Sequence, residues 1–166
     1  DGDMRRPVRH RMFGWDKRHG LSELLSCEKS QNIGDVFANS VVSDVVPGLD
    51  LIPCGKTPPN PSELLSSENM SHLIEYAKGI YNIIFIDFPP ICNVVDAGVA
   101  ANLVTGYIIA IRSGETDRRE VKAAVEQMKQ MNAKIVGFVL NDVNLKTNGN
   151  YEGRYAKYYR SYGSRA

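Results

Sequence analysis

Apolar residues gather in four strand-sized stretches, Leu49 to Pro53, Asn82 to Ile86, Gly106 to Ile111 and Lys134 to Leu140. The last three are near-continuous runs of Ile, Val, Phe and Tyr, without the alternation of a strand solvated on one face. A strand covered on both faces, as in a parallel sheet, has this pattern. Helical spacing fills the intervals. Thr116 to Met131 places Val121, Ala124, Val125 and Met128 on one face, with Thr116 as the expected N-cap. Ser62 to Ser66 and Asn69 to Gly79 predict two more helices, the second closing on a glycine suited to a C-cap. Strands alternating with helices predict βαβ units with right-handed crossovers. The expected architecture is therefore an α/β domain of three layers around a mostly parallel central sheet.

The pattern stops after Asn141. Residues 144–166 hold little aliphatic material but contain Tyr151, Tyr155, Tyr158, Tyr159 and Tyr162, five of the eight tyrosines in the chain. This divides the chain into a domain over 1–143 and a tyrosine-rich C-terminal tail over 144–166, expected to be disordered because it cannot build a core. From Lys146 to Ala166 the charge is +4, although the whole chain carries only +1. A near-neutral balance gives no global reason to expect nucleic acid as a partner. Tyrosines interleaved with basic residues could stack on single-stranded nucleic acid, but no basic face continues the tail. The three cysteines, Cys27, Cys54 and Cys92, have neither disulfide nor zinc-ligand spacing and read as free thiols. His10, His19 and His72 are scattered and form no ligand set. The apolar runs are too short for a membrane span, and no secretory leader is visible. The opening DGDMRRP has neither Met nor an apolar lead-in, so the chain is expected to begin inside a domain.

Two acidic sites could carry chemistry. Asp87 follows the run Ile83-Ile84-Phe85-Ile86 at the carboxyl end of a predicted strand, the edge where open α/β sheets bind ligands. A carboxylate there can hold Mg²⁺ beside phosphates, although many α/β strands end in Asp for no such reason. Asp1 and Asp3 are two apart, so in extended chain both would face one metal or one proton. The plainer reading of that segment is a solvated charged loop, and the same holds for the run Arg5, Arg6, Arg9 and Arg11. Gly55-Lys56-Thr57 superficially suggests a phosphate loop, but Pro58-Pro59 stands where its helix should open. No GxxxxGK[ST] occurs anywhere in the chain.

Taken together, DGDMRRP, GLSELL (20–25), LDLIPCGKTPPNPSELLSS (49–67), FIDFPP (85–90), VVDAG (94–98) and IRSGETDRREV (111–121) resemble the bacterial tyrosine autokinases of capsule and exopolysaccharide synthesis. These are deviant P-loop ATPases, and the partition ATPases of the same superfamily lack the PPNPSELL stretch. The resemblance implies a P-loop NTPase-like fold that here lacks its first strand and P-loop. It makes DGDMR the second acidic motif and IIFID the Walker B strand. Asp1 would be the base accepting the tyrosine proton, Asp3 would assist it or share the metal, and Asp87 would hold Mg²⁺. Asn141 would lie near the adenine of ATP, and Asp96 matches a further acidic position. The five tail tyrosines would be phosphoacceptors. The implied partners are a membrane-bound chain-length activator (separate or fused), further copies in a homo-oligomeric ring, and a tyrosine phosphatase. The implied location is the cytoplasmic face of the plasma membrane. The polypeptide as it stands, without a P-loop, is expected to be inactive. Rival readings are a partition-type ATPase switch and a non-catalytic scaffold.

Overall fold

The computed structural model describes residues 1–7, 19–28, 32–91 and 96–143, the side chains of 96 and 97 excepted. The tail tyrosines, Arg9, His10, Arg11 and Cys92 lie outside the described residues.

The first half is a helical cluster beside a hairpin. Helix α1 (Leu21–Leu25) buries Leu21, Leu24 and Leu25. Its Glu23 reaches back so that Oε2 accepts from the Gly20 amide at 3.0 Å, satisfying a donor that a helix start leaves open. Helix α2 (Ile33–Ser40) is capped by Asn32, whose side chain accepts from the Gly34 amide at 2.9 Å. Strands β1 (Val42–Val46) and β2 (Leu49–Leu51) pair antiparallel. Their turn uses Gly48 at φ 78°, a left-handed conformation that favours glycine. Helix α3 (Pro61–Leu65) starts on a proline, whose missing N–H is no loss there. Helix α4 (Glu68–Lys78) is capped by Ser67 and closes at Gly79. Met4, Leu24, Leu25, Phe37, Cys54, Leu65, Met70 and Leu73 meet in one core between these helices and the segments at 4 and 54.

The second half is a βαβ unit. A short helix α5 (Asp96–Val99) precedes β3 (Tyr107–Arg112), α6 (Arg118–Gln130) and β4 (Ile135–Asn141). β3 and β4 pair in parallel from Tyr107↔Ile135 to Arg112↔Asn141. The α/β class and the parallel pair are as expected, and α3, α4, α6 and three of the four predicted strands are present.

Three local expectations need correction. Residues 82–86 form no ladder and remain an unpaired segment between the two sheets, because no described strand lies alongside to accept their backbone bonds. Thr116 does not cap α6. Asp117 does, accepting from the Arg119 amide at 2.7 Å, while Thr116 Oγ1 accepts from the Arg112 amide at 3.0 Å. The Leu49 stretch belongs to an antiparallel hairpin whose other strand, interrupted by Ser43 and Asp44, carries no apolar run to announce it.

The missing pairing leaves apolar surface open. Ile83 is 69% exposed and Phe85 78%, and Ile108, Val136, Phe138 and Leu140 are more than half exposed. Unpaired edges and apolar faces of this kind promote association. The chain at tens of micromolar is expected to self-associate and bind hydrophobic dyes. Phe85→Ser with Ile83→Ser should reduce both in light scattering and dye fluorescence.

Tyr81 ties the hairpin to the helical core. Its hydroxyl donates to Asp50 Oδ2 at 2.6 Å, and its ring lies 6.3 Å from that of Phe37. Burial, and then the bond to Asp50, push the Tyr81 hydroxyl up to about 12. Folding thus holds this proton more tightly than the unfolded chain does. Its contribution to stability is intact below pH ~10 and lost as pH rises towards 12. Urea midpoints should fall across that interval, and Tyr81→Phe should flatten the fall. An unchanged slope in the variant would assign it to Tyr107, whose hydroxyl burial also raises.

Candidate functional site

The acidic motifs meet through their backbones. The Gly2 amide donates to the Asp87 carbonyl at 2.8 Å, and the backbone nitrogen of Asp1 donates to the Ile52 carbonyl at 2.8 Å. The opening segment therefore lies between the Leu49–Pro53 stretch and the end of the Ile83–Asp87 segment. Met4, with no exposed surface, plugs it into the core. Gly2 is buried, and a Cβ there would stand 2.9 Å from the Asp87 carbonyl oxygen and 3.0 Å from Ile86 Cγ2. Only a glycine lets the two motifs come this close without a shift.

Asp1 and Asp3 do not share one face, contrary to the expectation from extended chain. The Met4 amide bonds back to the Gly2 carbonyl at 3.0 Å, a tight turn centred on Asp3. Asp3 Oδ1 then accepts from the Arg5 and Arg6 amides at 3.2 and 2.9 Å. Both Asp1 carboxylate oxygens are shielded from solvent, and the residue borders an apolar pocket of ≈ 290 Å³ with Phe37, Tyr81 and Ile86. Asp3 borders a larger cleft of ≈ 920 Å³ between Ile84–Phe88 and β3. Asp87, itself exposed, borders both cavities. The structure thus brings Asp1, Asp3 and Asp87 near one backbone contact, with Asp87 bordering the cavities of both others.

Asn141 ends β4 at the same carboxyl edge, opposite Arg112. Its carbonyl accepts from the Ser113 amide at 2.9 Å, and it does not line the cleft. Arg112 does, and it was not singled out by sequence. Its Nε donates to Asp142 Oδ2 at 3.1 Å and Nη1 to Glu115 Oε2 at 2.9 Å. The first of these bonds raises the guanidinium above its ordinary value, so it stays charged at any working pH. Glu23 was also missed. Beyond Gly20 it accepts from Ser22 Oγ at 3.0 Å and the Lys56 amide at 3.2 Å. The Leu21 and Ser22 amides reach the Pro53 and Cys54 carbonyls at 2.8 and 2.9 Å. GLSELL and PCGKT are thus two sides of one joint, and Gly55 at φ 81° turns the chain away from it. Lys56 is exposed, consistent with reading GKT as no phosphate loop.

Among the described residues no three of His, Cys, Asp and Glu converge closely enough to hold a metal alone. Asp3 and Asp87 nevertheless supply hard oxygen donors on one cleft, which suits Mg²⁺ completed by water and phosphate. No described helix is long and apolar enough to cross a membrane.

The chain is 38% identical over 161 residues to the tyrosine-protein kinase CpsD of Streptococcus agalactiae, covering 95% of this chain and 67% of CpsD. This chain belongs to the bacterial tyrosine kinases. It is also 32% identical to the tyrosine-protein kinase Wzc of Salmonella typhi, covering 95% of this chain and 21% of that one. Among solved structures, the kinase domain of Escherichia coli tyrosine kinase ETK superposes with a TM-score of 0.77 at 33% identity, covering 86% of this chain and 54% of that one. The chimerical protein CapA2B2 gives the same score and identity, covering 86% of this chain and 61% of that one. No family model matches. The chain therefore spans about two thirds of CpsD and about a fifth of Wzc.

Gly2→Ala should force Asp87 and Ile86 aside and destabilise the fold by about 1–3 kcal/mol, the usual cost of overpacking. Chemical denaturation measures this. A neutral result would mean that the contact between the acidic motifs is looser than 2.8 Å.

Proposed function

We propose that this chain carries the acidic half of a protein-tyrosine kinase site, transferring the γ-phosphoryl of ATP to tyrosines in residues 144–166 of a neighbouring copy. The observation behind this reading is the Gly2–Asp87 contact, which gathers three carboxylates near one backbone bond in a chain related to tyrosine kinases. Asp1 takes the proton of the attacking tyrosine hydroxyl. The new bond joins that oxygen to the γ-phosphorus, the bond to the bridging β–γ oxygen breaks, and ADP leaves. Mg²⁺, when bound, neutralises phosphate charge, and Asp3 and Asp87 would hold it. Asn141, at the end of β4 beside the cleft-lining Arg112, would lie near the adenine. This chemistry needs positioning and charge compensation more than covalent help.

The phosphates also need backbone donors and a lysine that these 166 residues do not supply as a recognisable loop. The cleft between Ile84–Phe88 and Tyr107–Arg112 has apolar walls from both sides and a polar rim of Asp3, Asp87, Arg112 and Thr116. A parallel strand running into a phosphate-binding loop is the element that suits it. On this reading the kinase regulates capsule or exopolysaccharide synthesis and export. It works in a homo-oligomeric ring at the inner face of the plasma membrane, with a membrane-bound activator and an opposing tyrosine phosphatase.

The test expresses the chain with the segment its gene encodes ahead of Asp1, adds MgATP and activator, and maps phosphotyrosine by mass spectrometry. Label is expected on some of Tyr151, Tyr155, Tyr158, Tyr159 and Tyr162, and little on Tyr81. Asp1→Asn and Asp87→Asn should each lower it by about 100-fold or more. ATP hydrolysis without labelled tyrosines would favour a partition-type switch, and neither activity would favour a scaffold.

A further inference from the structure

Arg5 and Ser62 come from the two motifs farthest apart in the helical half, and they touch. The Arg5 guanidinium donates through Nη2 to Ser62 Oγ at 3.2 Å. Ser62 is the second residue of α3, a helix fixed by buried Pro61 and by Leu65, which has no exposed surface. Arg5 follows Met4, equally sealed in the core. Between Met4 and this contact lies the turn whose Arg5 and Arg6 amides hold Asp3 Oδ1. Those two bonds occupy one carboxylate oxygen of Asp3. Among the described residues its other oxygen takes no hydrogen bond, and Asp3 borders the large cleft with Asp87.

We infer that Arg5 and Ser62 are positioning residues that fix the orientation of the Asp3 carboxylate towards a divalent cation bound with nucleotide in that cleft. This rests on the proposed metal role of Asp3. Arg5 and Arg6, whose amides hold Asp3 Oδ1, are exposed between buried Met4 and buried Pro7. Anchoring Arg5 to a helix adds to the preorganisation of the Asp3 carboxylate that its amide already holds, and groups behind metal ligands commonly set affinity in this way. The argument also gives the serine of PPNPSELL a task at the acidic motif. Ser62 is only partly exposed, and truncating its hydroxyl removes no packing volume from the core.

The experiment titrates Mg²⁺ into the protein, expressed with its upstream segment, and follows binding of a fluorescent ATP analogue. Thermal melting is recorded for each variant. Ser62→Ala and Arg5→Gln should each raise the Mg²⁺ needed for half-maximal binding by about tenfold, the lower end of such effects. Melting temperatures should stay unchanged, and the double variant should be no worse than either single one. Arg5→Lys, which keeps a donor, should recover part of the loss. If Asp3→Asn shifts the Mg²⁺ dependence while the Arg5 and Ser62 variants do not, the positioning role is wrong and the metal role of Asp3 stands. If Asp3→Asn leaves the dependence unchanged, both fall.

Discussion

A single backbone contact, Gly2 to Asp87, determines where every acidic group of the site can be. A hydrogen bond of this kind contributes only about 1 kcal/mol net, so its importance is geometric. It fixes the separation of two segments 85 positions apart in sequence at 2.8 Å between donor and acceptor. Because a Cβ at position 2 would meet the Asp87 carbonyl, the constraint reaches the sequence directly. The residues on either side of Gly2 then line two cavities that Asp87 also borders, Asp1 the apolar pocket and Asp3 the larger cleft. The tight turn at Asp3 and the sealed side chain of Met4 hold that division in place.

The division suits two different tasks. A base that takes a proton from a substrate gains from being shielded, since shielding strengthens its interaction with whatever charge approaches. A ligand to a small, hard cation has to stay wet enough to share it with water and phosphate. Asp1 has the first environment and Asp3 with Asp87 the second. The Glu23 joint supports the arrangement from behind, because the 52–54 segment that accepts from Asp1 also accepts from Leu21 and Ser22. Displacing GLSELL would therefore disturb the 52–54 segment on which the N-terminal motif rests.

What was legible in the sequence follows how each element is stabilised. The parallel pair, with its unbroken runs at Tyr107 to Ile111 and Ile135 to Leu140, is specified by local hydrophobicity and was read correctly. The helices α3, α4 and α6 carry their own caps and apolar faces. Residues 82–86 have the composition of a central strand, but strand formation needs neighbours, and composition says nothing about whether they are there. The side-by-side placement of Asp1 and Asp3 failed for a different reason. A two-residue period holds only while the chain stays extended, and the Asp3 side chain accepts from the Arg5 and Arg6 amides and bends it. Arg5 with Ser62, and Arg112 with Asp142, were not legible at all. Each depends on which loops the fold brings together, for which a single sequence has no local signal.

The charge distribution gives the proposed kinase a way to sense its own product. Residues 1–145 carry −3 in sum, whereas residues 146–166 carry +4 before any modification. Unmodified, such a segment is drawn electrostatically to the net-negative remainder of a neighbouring copy, and attraction of this sort raises encounter rates most at low salt. Each phosphotyrosine adds about −1.5 to −2. Two cancel most of the positive charge, and three reverse its sign. Attraction then becomes repulsion from the carboxylates proposed to carry out the transfer, so release of the product segment needs no separate device.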